Sequence, residues 1–194
     1  MNLRGSKTAK NLIKAFAGEC QARTRYTYYS DIAKKEGYVQ ISNIFLETAE
    51  QEREHAKLFY KFLKQDYCDE CIEINAAYPV SFHDKTKKNL IASAEAEKAE
   101  WTKDYQNFAK IAKSEGFMEI ALTFKKIALI EKMHDIRYRK LLRNVENGTV
   151  FKKDREVLWK CNNCGFIYEG CEAPKTCPAC NHPQGYFEVF GENY

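Results

Sequence analysis

Glu52-Arg53-Glu54-His55 and Glu131-Lys132-Met133-His134 are two Glu-x-x-His steps, each inside a run of apolar and small residues at helical spacing. The first lies among Ile41, Ile44, Phe45, Thr48, Ala49, Ala56, Phe59 and Phe62, the second among Ile120, Phe124, Ile127, Tyr138 and Leu141. Residues three apart share a helix face, so each step turns one carboxylate and one imidazole toward the core. An ionised carboxylate inside a helix bundle costs several kcal/mol unless positive charge compensates it. A single such step in a chain with 30% charged residues reads more simply as a solvated face. Two of them, on two inward stripes, predict a metal centre.

The steps belong to an internal repeat. Ala33-Lys34-Lys35-Glu36-Gly37-Tyr38 matches Ala112-Lys113-Ser114-Glu115-Gly116-Phe117 at an offset of 79, which carries Glu52 onto Glu131, His55 onto His134 and Tyr26 onto Tyr105. Asn11-Leu12-Ile13 matches Asn89-Leu90-Ile91 at an offset of 78, which aligns Glu19 with Glu97. One extra residue therefore lies between Glu97 and Tyr105. Glu100 falls in that interval, and its counterpart in the first half is Ala22. An inserted residue inside an α-helix is commonly absorbed as a π-bulge, often at a functional site. Tyr26 and Tyr105, seven or eight residues after an inward glutamate, suit either core packing or hydrogen bonding to the carboxylates.

The elements that must hold these groups are four helices. The first opens at Ser6 or Thr8 and runs to about Glu36, with Gly37 ending it. The second covers about Tyr38 to Gln65. Residues 66 to 80 lack helical period and form a long crossover able to return along the bundle. Ser81-Phe82-His83-Asp84 has the form of a capping box opening helix three, which stops at Gly116. Helix four spans about Phe117 to Glu146. Residues 1–147 thus read as an all-α four-helix bundle with a long crossover, followed by a short basic linker from Thr149 to Arg155.

Residues 155–194 differ in kind. Cys161-x-x-Cys164 and Cys177-x-x-Cys180 stand among short aromatic runs with Gly and Pro punctuation, the pattern of a small β-rich module that needs a metal as its staple. Four thiolates in paired knuckles suit tetrahedral zinc or a single iron. Cys68 and Cys71, in the crossover, read as two loop thiols in preference to a redox dithiol or half a metal site. Cys20 and Cys171 have no evident partner.

Composition narrows the rest. A net charge of +4, scattered along 194 residues, gives no basic stripe for nucleic acid. No apolar run approaches the roughly 18 residues of a membrane span, and the first ten residues lack the apolar segment of a signal peptide. The expectation is a cytoplasmic protein with no membrane and no nucleic-acid partner.

One glutamate on each of two helices and Glu-x-x-His on each of the other two is the pattern of ferritin-like di-iron proteins. With Gly18-Glu19, Glu97-Lys98-Ala99-Glu100, Cys-Asn-Asn-Cys-Gly-Phe-Ile-Tyr-Glu-Gly from Cys161 and Cys-Pro-Ala-Cys-Asn-His-Pro from Cys177, the chain resembles the rubrerythrin family over nearly its whole length. The resemblance implies a ferritin-like bundle followed by a rubredoxin-like domain. It implies two irons on Glu19, Glu52, His55, Glu97, Glu100, Glu131 and His134, and one iron on Cys161, Cys164, Cys177 and Cys180. It further implies a homodimeric peroxide reductase in oxidative-stress defence, converting hydrogen peroxide to water with electrons from NAD(P)H through partner redox proteins such as rubredoxin. Glu100, His55, Tyr26 and Tyr105 are the residues expected to take part in turnover. Cys20, the Cys68 and Cys71 pair, Cys171 and Ala96 depart from the family pattern without removing a ligand. A ferroxidase and a zinc-stapled binding scaffold are the competing readings; the first leaves the appended redox module unused, and the second predicts a colourless protein.

Overall fold

The structure, a computed structural model, describes residues 2–192. Three helices of 29 residues dominate it: α1 (Lys7–Lys35), α2 (Val39–Tyr67) and α5 (Met118–Glu146). At 1.5 Å per residue each is about 44 Å long. The fourth bundle position is shared by α3 (Thr86–Ala99), a π-helical turn over Glu100–Asp104, and α4 (Tyr105–Ser114). α1 packs on α2, while α3 and α4 pack on α5. The two hairpins are the two halves of the repeat. None of the described helices is long and apolar enough to cross a membrane.

Both hairpins turn on the same chemistry. Gly37 and Gly116 take φ of +82° and +87°, a left-handed conformation that a side chain disfavours. The following residues close the helix ends, with Tyr38 N–H on Ala33 O and Phe117 N–H on Ala112 O, each at 2.8 Å.

The residues just before these glycines have a second task. The Glu115 carboxylate accepts from Lys7 N at 3.0 Å, from Thr8 N at 2.8 Å and from Thr8 Oγ1 at 2.6 Å, capping the start of α1. Its repeat partner Glu36 accepts from Thr86 N at 2.6 Å and caps α3. Each half thus caps the other. This corrects the expected capping box: helix three begins at Thr86, Ser81 accepts from Tyr29 OH, and the local turn is tied by His83 N–H on Asn89 Oδ1. A carboxylate from another helix accepts from the orphan donor end that Ser81 and Asp84 were expected to serve.

Burial opposes ionisation of Glu115, but the hydrogen bonds from Thr8 and Lys7 outweigh it and lower its pKa below 4.5. A depressed folded pKa contributes stability that is complete above the unfolded value and lost as pH falls through the folded one. Glu115→Ala is therefore expected to lower stability by about 1 kcal/mol at neutral pH, screening keeping it near the ordinary value of a helix cap. The gap from wild type should shrink as the pH drops below 4.5. Urea titrations of both proteins across that range check it; a gap independent of pH would count against the cap.

The bundle core has two parts. Leu12, Phe59, Leu63, Tyr105, Phe124 and Ile127 fill one end, and Tyr26, Tyr29, Ile41, Phe45, Leu90 and Tyr138 the other. Between them lies a polar layer made by Glu19, Glu52, His55, Glu97, Glu131 and His134, all buried.

The C-terminal residues form a three-stranded antiparallel sheet in the order β2–β1–β3, with β1 at Lys152–Cys161, β2 at Ile167–Glu172 and β3 at Phe187–Val189. β1 begins inside the stretch expected as linker, which leaves little free chain between bundle and sheet. The module's own core is Trp159, Cys161, Ala173, Cys177 and Phe187. It abuts the α1–α2 turn, where the Phe151 ring stacks on Tyr38 at 6.1 Å. A Cβ on Gly185 would lie 2.2 Å from Gly37 O, so only glycine permits this approach.

Candidate metal centre

α2 and α5 project their Glu-x-x-His pairs into the polar layer from opposite sides, because the two helices run through the same core with the same repeat spacing. Glu52 Oε2 lies 2.8 Å from His55 Nδ1, and Glu131 Oε1 lies 2.9 Å from it. The other oxygens of the same two residues face the second histidine. Glu131 Oε2 is 2.8 Å and Glu52 Oε1 3.3 Å from His134 Nδ1. Each of these carboxylates therefore offers one oxygen to each histidine, the disposition of a bridging ligand. Glu19 Oε1 completes the first set at 3.9 Å from His55, and Glu97 Oε2 the second at 3.6 Å from His134. The result is two overlapping groups, Glu19, Glu52, His55 and Glu131, and Glu52, Glu97, Glu131 and His134, whose ligand atoms lie within 4.8 Å of one another in each group.

The donor set fits two cations. Glu19 Oε2, Glu97 Oε2, both oxygens of Glu52 and Glu131, and Nδ1 of His55 and His134 are buried without hydrogen-bond partners. Orphaned acceptors at this density are otherwise prohibitive. Burial, then repulsion from Glu131, Glu52 and Glu100, pushes Glu19 well above the ordinary carboxylate range. Burial, then Glu52, raises Glu97 to about 8. Burial opposes charge on Glu131 and both histidines as well, but their mutual proximity prevails, holding Glu131 down at about 2 and His134 up at about 12. Such a set ionises throughout only with positive charge among the oxygens.

The surrounding groups orient the ligands. His134 Nε2 donates to Gln51 Oε1 at 2.9 Å, which orients the ring so that Nδ1 faces the carboxylates and would be the nitrogen offered to a metal. Tyr105 OH donates to Glu19 Oε1 at 2.5 Å, and Tyr26 OH donates to Glu97 Oε1. The phenols thus cross between the halves of the repeat, and hydrogen bonding, not packing alone, accounts for their placement. Gln51 was not foreseen. Its repeat position is Ile130, so neither pattern nor spacing singles it out.

Glu100 lies outside both groups of four. It opens the π-helical turn, where Tyr105 N–H bonds Glu100 O five residues back, as the inserted residue predicts. Half-buried, it lines a cavity between α1, α3 and the crossover. Burial, then Glu97 and Glu131, raises its pKa well above the ordinary value, so its carboxyl group feels the cluster without joining it.

The four remaining ligands meet in the C-terminal module. Cys161 Sγ lies 3.8 Å from Cys180 Sγ, and Cys164 Sγ 3.7 Å from Cys177 Sγ. A tetrahedron with metal–sulfur bonds of about 2.3 Å has edges of about 3.8 Å, so the thiols stand at coordination distance. Each knuckle closes with a left-handed residue, Gly165 at φ +80° and Asn181 at φ +58°, whose N–H bonds the carbonyl of the first cysteine at 2.9 Å. The backbone N–H of His182 is the chief cause that lowers the Cys180 thiol to about 6, which favours thiolate. Cys20, Cys68, Cys71 and Cys171 are free thiols in none of the metal groups. Cys68 follows the end of α2 in a tight turn with Asp69 at φ +62°.

Comparison with known proteins matches this architecture. The family model described as Rubrerythrin covers residues 10–142, and that described as Rubrerythrin, rubredoxin-like domain, covers residues 159–188. The chain belongs to the rubrerythrin family. The rubrerythrin of Clostridium perfringens is 63% identical over 193 residues, covering 100% of this chain and 99% of its own. That of Nitratidesulfovibrio vulgaris is 49% identical over 193 residues, again covering 100% and 99%. Among solved structures, fully reduced, all-ferrous nigerythrin superposes with a TM-score of 0.64 at 28% identity, covering 97% of this chain and 92% of that one. The Desulfovibrio desulfuricans bacterioferritin, 21% identical with a TM-score of 0.60, covers 74% of this chain and 82% of its own and shares the fold. As a rubrerythrin-family member the chain is an oxidoreductase with a carboxylate- and histidine-bound di-iron site and a rubredoxin-like four-cysteine site.

Proposed function

We propose that this protein reduces hydrogen peroxide to water at the di-iron site, fed with electrons through the four-cysteine iron, in oxidative-stress defence. The observation that carries the reading is the pair Glu52 and Glu131, each offering one oxygen to either histidine. They stand on a chain that also carries a one-electron module. Glu19, Glu52, His55, Glu97, Glu131 and His134 would hold two irons, which when bound supply the two electrons that cleaving the O–O bond requires. The protein's own part is positional and protonic. Burial, then neighbouring carboxylates, raises the Tyr26 and Tyr105 hydroxyls well above their usual range, so both remain donors throughout. They hold Glu97 and Glu19 in place and keep a proton beside each. The four-cysteine module favours this reading over a ferroxidase. Anaerobically reduced, iron-loaded protein mixed with peroxide or dioxygen in a stopped-flow instrument tests it. Reoxidation by peroxide at least about tenfold faster is expected; dioxygen as fast or faster would instead support a ferroxidase.

Glu100 and His55 are proposed as alternative ligands of one iron. Ferric iron, harder and more highly charged, favours the carboxylate; ferrous iron accepts the neutral imidazole. The π-helical turn gives Glu100 a backbone able to swing without unpairing α3 and α4. Crystals of the oxidised and dithionite-reduced protein should show Glu100 on that iron in one state and His55 in the other. The same ligand in both would end the idea.

The protein is proposed to act in the cytoplasm as a homodimer, with electrons passing between subunits from a rubredoxin or an NAD(P)H-linked reductase. An isolated heterodimer of a Cys164→Ser subunit and a Glu52→Ala subunit retains one intact site of each kind, on different chains. Donor-driven turnover well above that of either parent is expected; activity no higher than the parents would establish a route within one chain.

A further inference from the structure

The cavity beside Glu100 is larger than hydrogen peroxide needs. It is partly open to solvent and offers about 460 Å³. A water molecule takes about 30 Å³ of liquid volume, so a molecule of two oxygens needs roughly twice that, whereas sites for small organic ligands begin near 300 Å³. The space exists because α1 and α3 face each other through small residues, Ala15 and Gly18 on one side and Ala96 and Ala99 on the other. The crossover roofs it. Tyr78 OH donates to Lys14 O at 2.8 Å, and its ring edge lies 3.7 Å from where a Cβ on Gly18 would stand. The inner wall is Glu100 and Tyr105, and Tyr105 is already bonded to Glu19 of the carboxylate layer. One end of the cavity therefore offers the Glu100 carboxyl and the Tyr105 hydroxyl beside the metal ligands, and the body offers methyl and aromatic surface with Lys14, Arg25, Asn75 and Asp104 also in the lining.

We infer that this cavity admits small organic hydroperoxides, with the O–O end at Glu100 and the alkyl or aryl group among Ala15, Ala96, Ala99 and Tyr78. The inference rests on the peroxide-reductase reading and extends its substrate class. The reaction balances as for hydrogen peroxide: the O–O bond breaks, both oxygens are reduced, and two protons and two electrons are consumed. One oxygen leaves as water and the other as the alcohol. The electrons come from two equivalents of a one-electron donor of the rubredoxin class, or from dithionite in the test.

The test pairs turnover with binding. Reduced, iron-loaded protein is mixed with cumene hydroperoxide and, separately, with hydrogen peroxide. Rates within about tenfold of each other are expected in the wild type. Ala77→Trp, at the exposed mouth of the cavity, should lower the ratio of the cumene hydroperoxide rate to the hydrogen peroxide rate by at least about tenfold. Independently of turnover, the product alcohol 2-phenyl-2-propanol, titrated into labelled protein, should shift the backbone resonances of Gly18, Ala77 and Tyr78 in the wild type and not in Ala77→Trp. Fast hydrogen peroxide reduction with cumene hydroperoxide at least about a hundredfold slower would overturn the inference and spare the parent reading. Failure of both substrates would overturn both. Resonance shifts confined to other parts of the protein would remove the cavity as the binding site.

Discussion

Glu131→Ala is expected to empty both carboxylate-bound metal positions at once. Glu131 is the residue for which this should be most complete, because Oε1 lies against His55 and Oε2 against His134 at 2.9 and 2.8 Å. Its loss removes one ligand from each of the two overlapping groups. It also removes a carboxylate that both histidines hold in its ionised form. Glu19→Ala removes a ligand from one group only and should act mainly on that position. Iron per chain, measured against protein concentration, should fall to the single atom on the four cysteines, and the red absorbance of that site should persist. A further loss of about 3–5 kcal/mol in bundle stability is expected, since the remaining glutamates and histidines stay buried with their partner gone. Iron content close to the wild-type value would show that the two groups do not share this residue as a ligand.

Cys177→Ser should act on the other site with comparable size and leave the first intact. Cys177 is wholly buried beside Trp159, Cys161, Ala173 and Phe187, so it serves the module as core residue and as ligand. Five side chains cannot order the sheet and its knuckles unaided, whereas a structural metal on thiolates contributes on the order of 10 kcal/mol or more. The expected result is loss of the red chromophore, rapid proteolysis between residues 152 and 192, and a helical bundle whose melting is unchanged. Donor-driven peroxide turnover should fall by at least about a hundredfold, yet a chemically reduced di-iron site should still react once with peroxide. Retained protease resistance would mean that packing against the α1–α2 turn, through Phe151 on Tyr38 and Gly185 on Gly37, holds the module without its metal.

Much of this site is local and therefore legible. Glu52 and His55 share a face because residues three apart in a helix always do. The same rule places Glu131 with His134, and the paired cysteine spacings fix the knuckles in the same way. The surplus residue in the second half of the repeat had to be absorbed somewhere between Glu97 and Tyr105, and it appears as the π-helical turn that Glu100 opens. Glycines at positions 37 and 116 end their helices for a reason internal to each turn. The capping box at Ser81 failed because a local pattern was outbid by a distant group. Glu36 lies 50 residues from Thr86 in sequence and within hydrogen-bond reach in space.

By itself, then, the sequence determined the residue types at the centre, the helix faces they occupy, the repeat that relates them and the existence of a thiolate module. Each follows from a period of 3.6 residues or from ligand spacing, quantities that act within one segment. Only the tertiary structure decided which oxygen of Glu52 and Glu131 meets which histidine, and that Tyr26 bonds Glu97 while Tyr105 bonds Glu19. It alone brought Gln51 to His134, let Glu36 and Glu115 cap the opposite hairpin, and opened a cavity beside Glu100. These depend on how far apart two helices sit and how each is rotated, and helix packing sets both through contacts between residues remote in the chain.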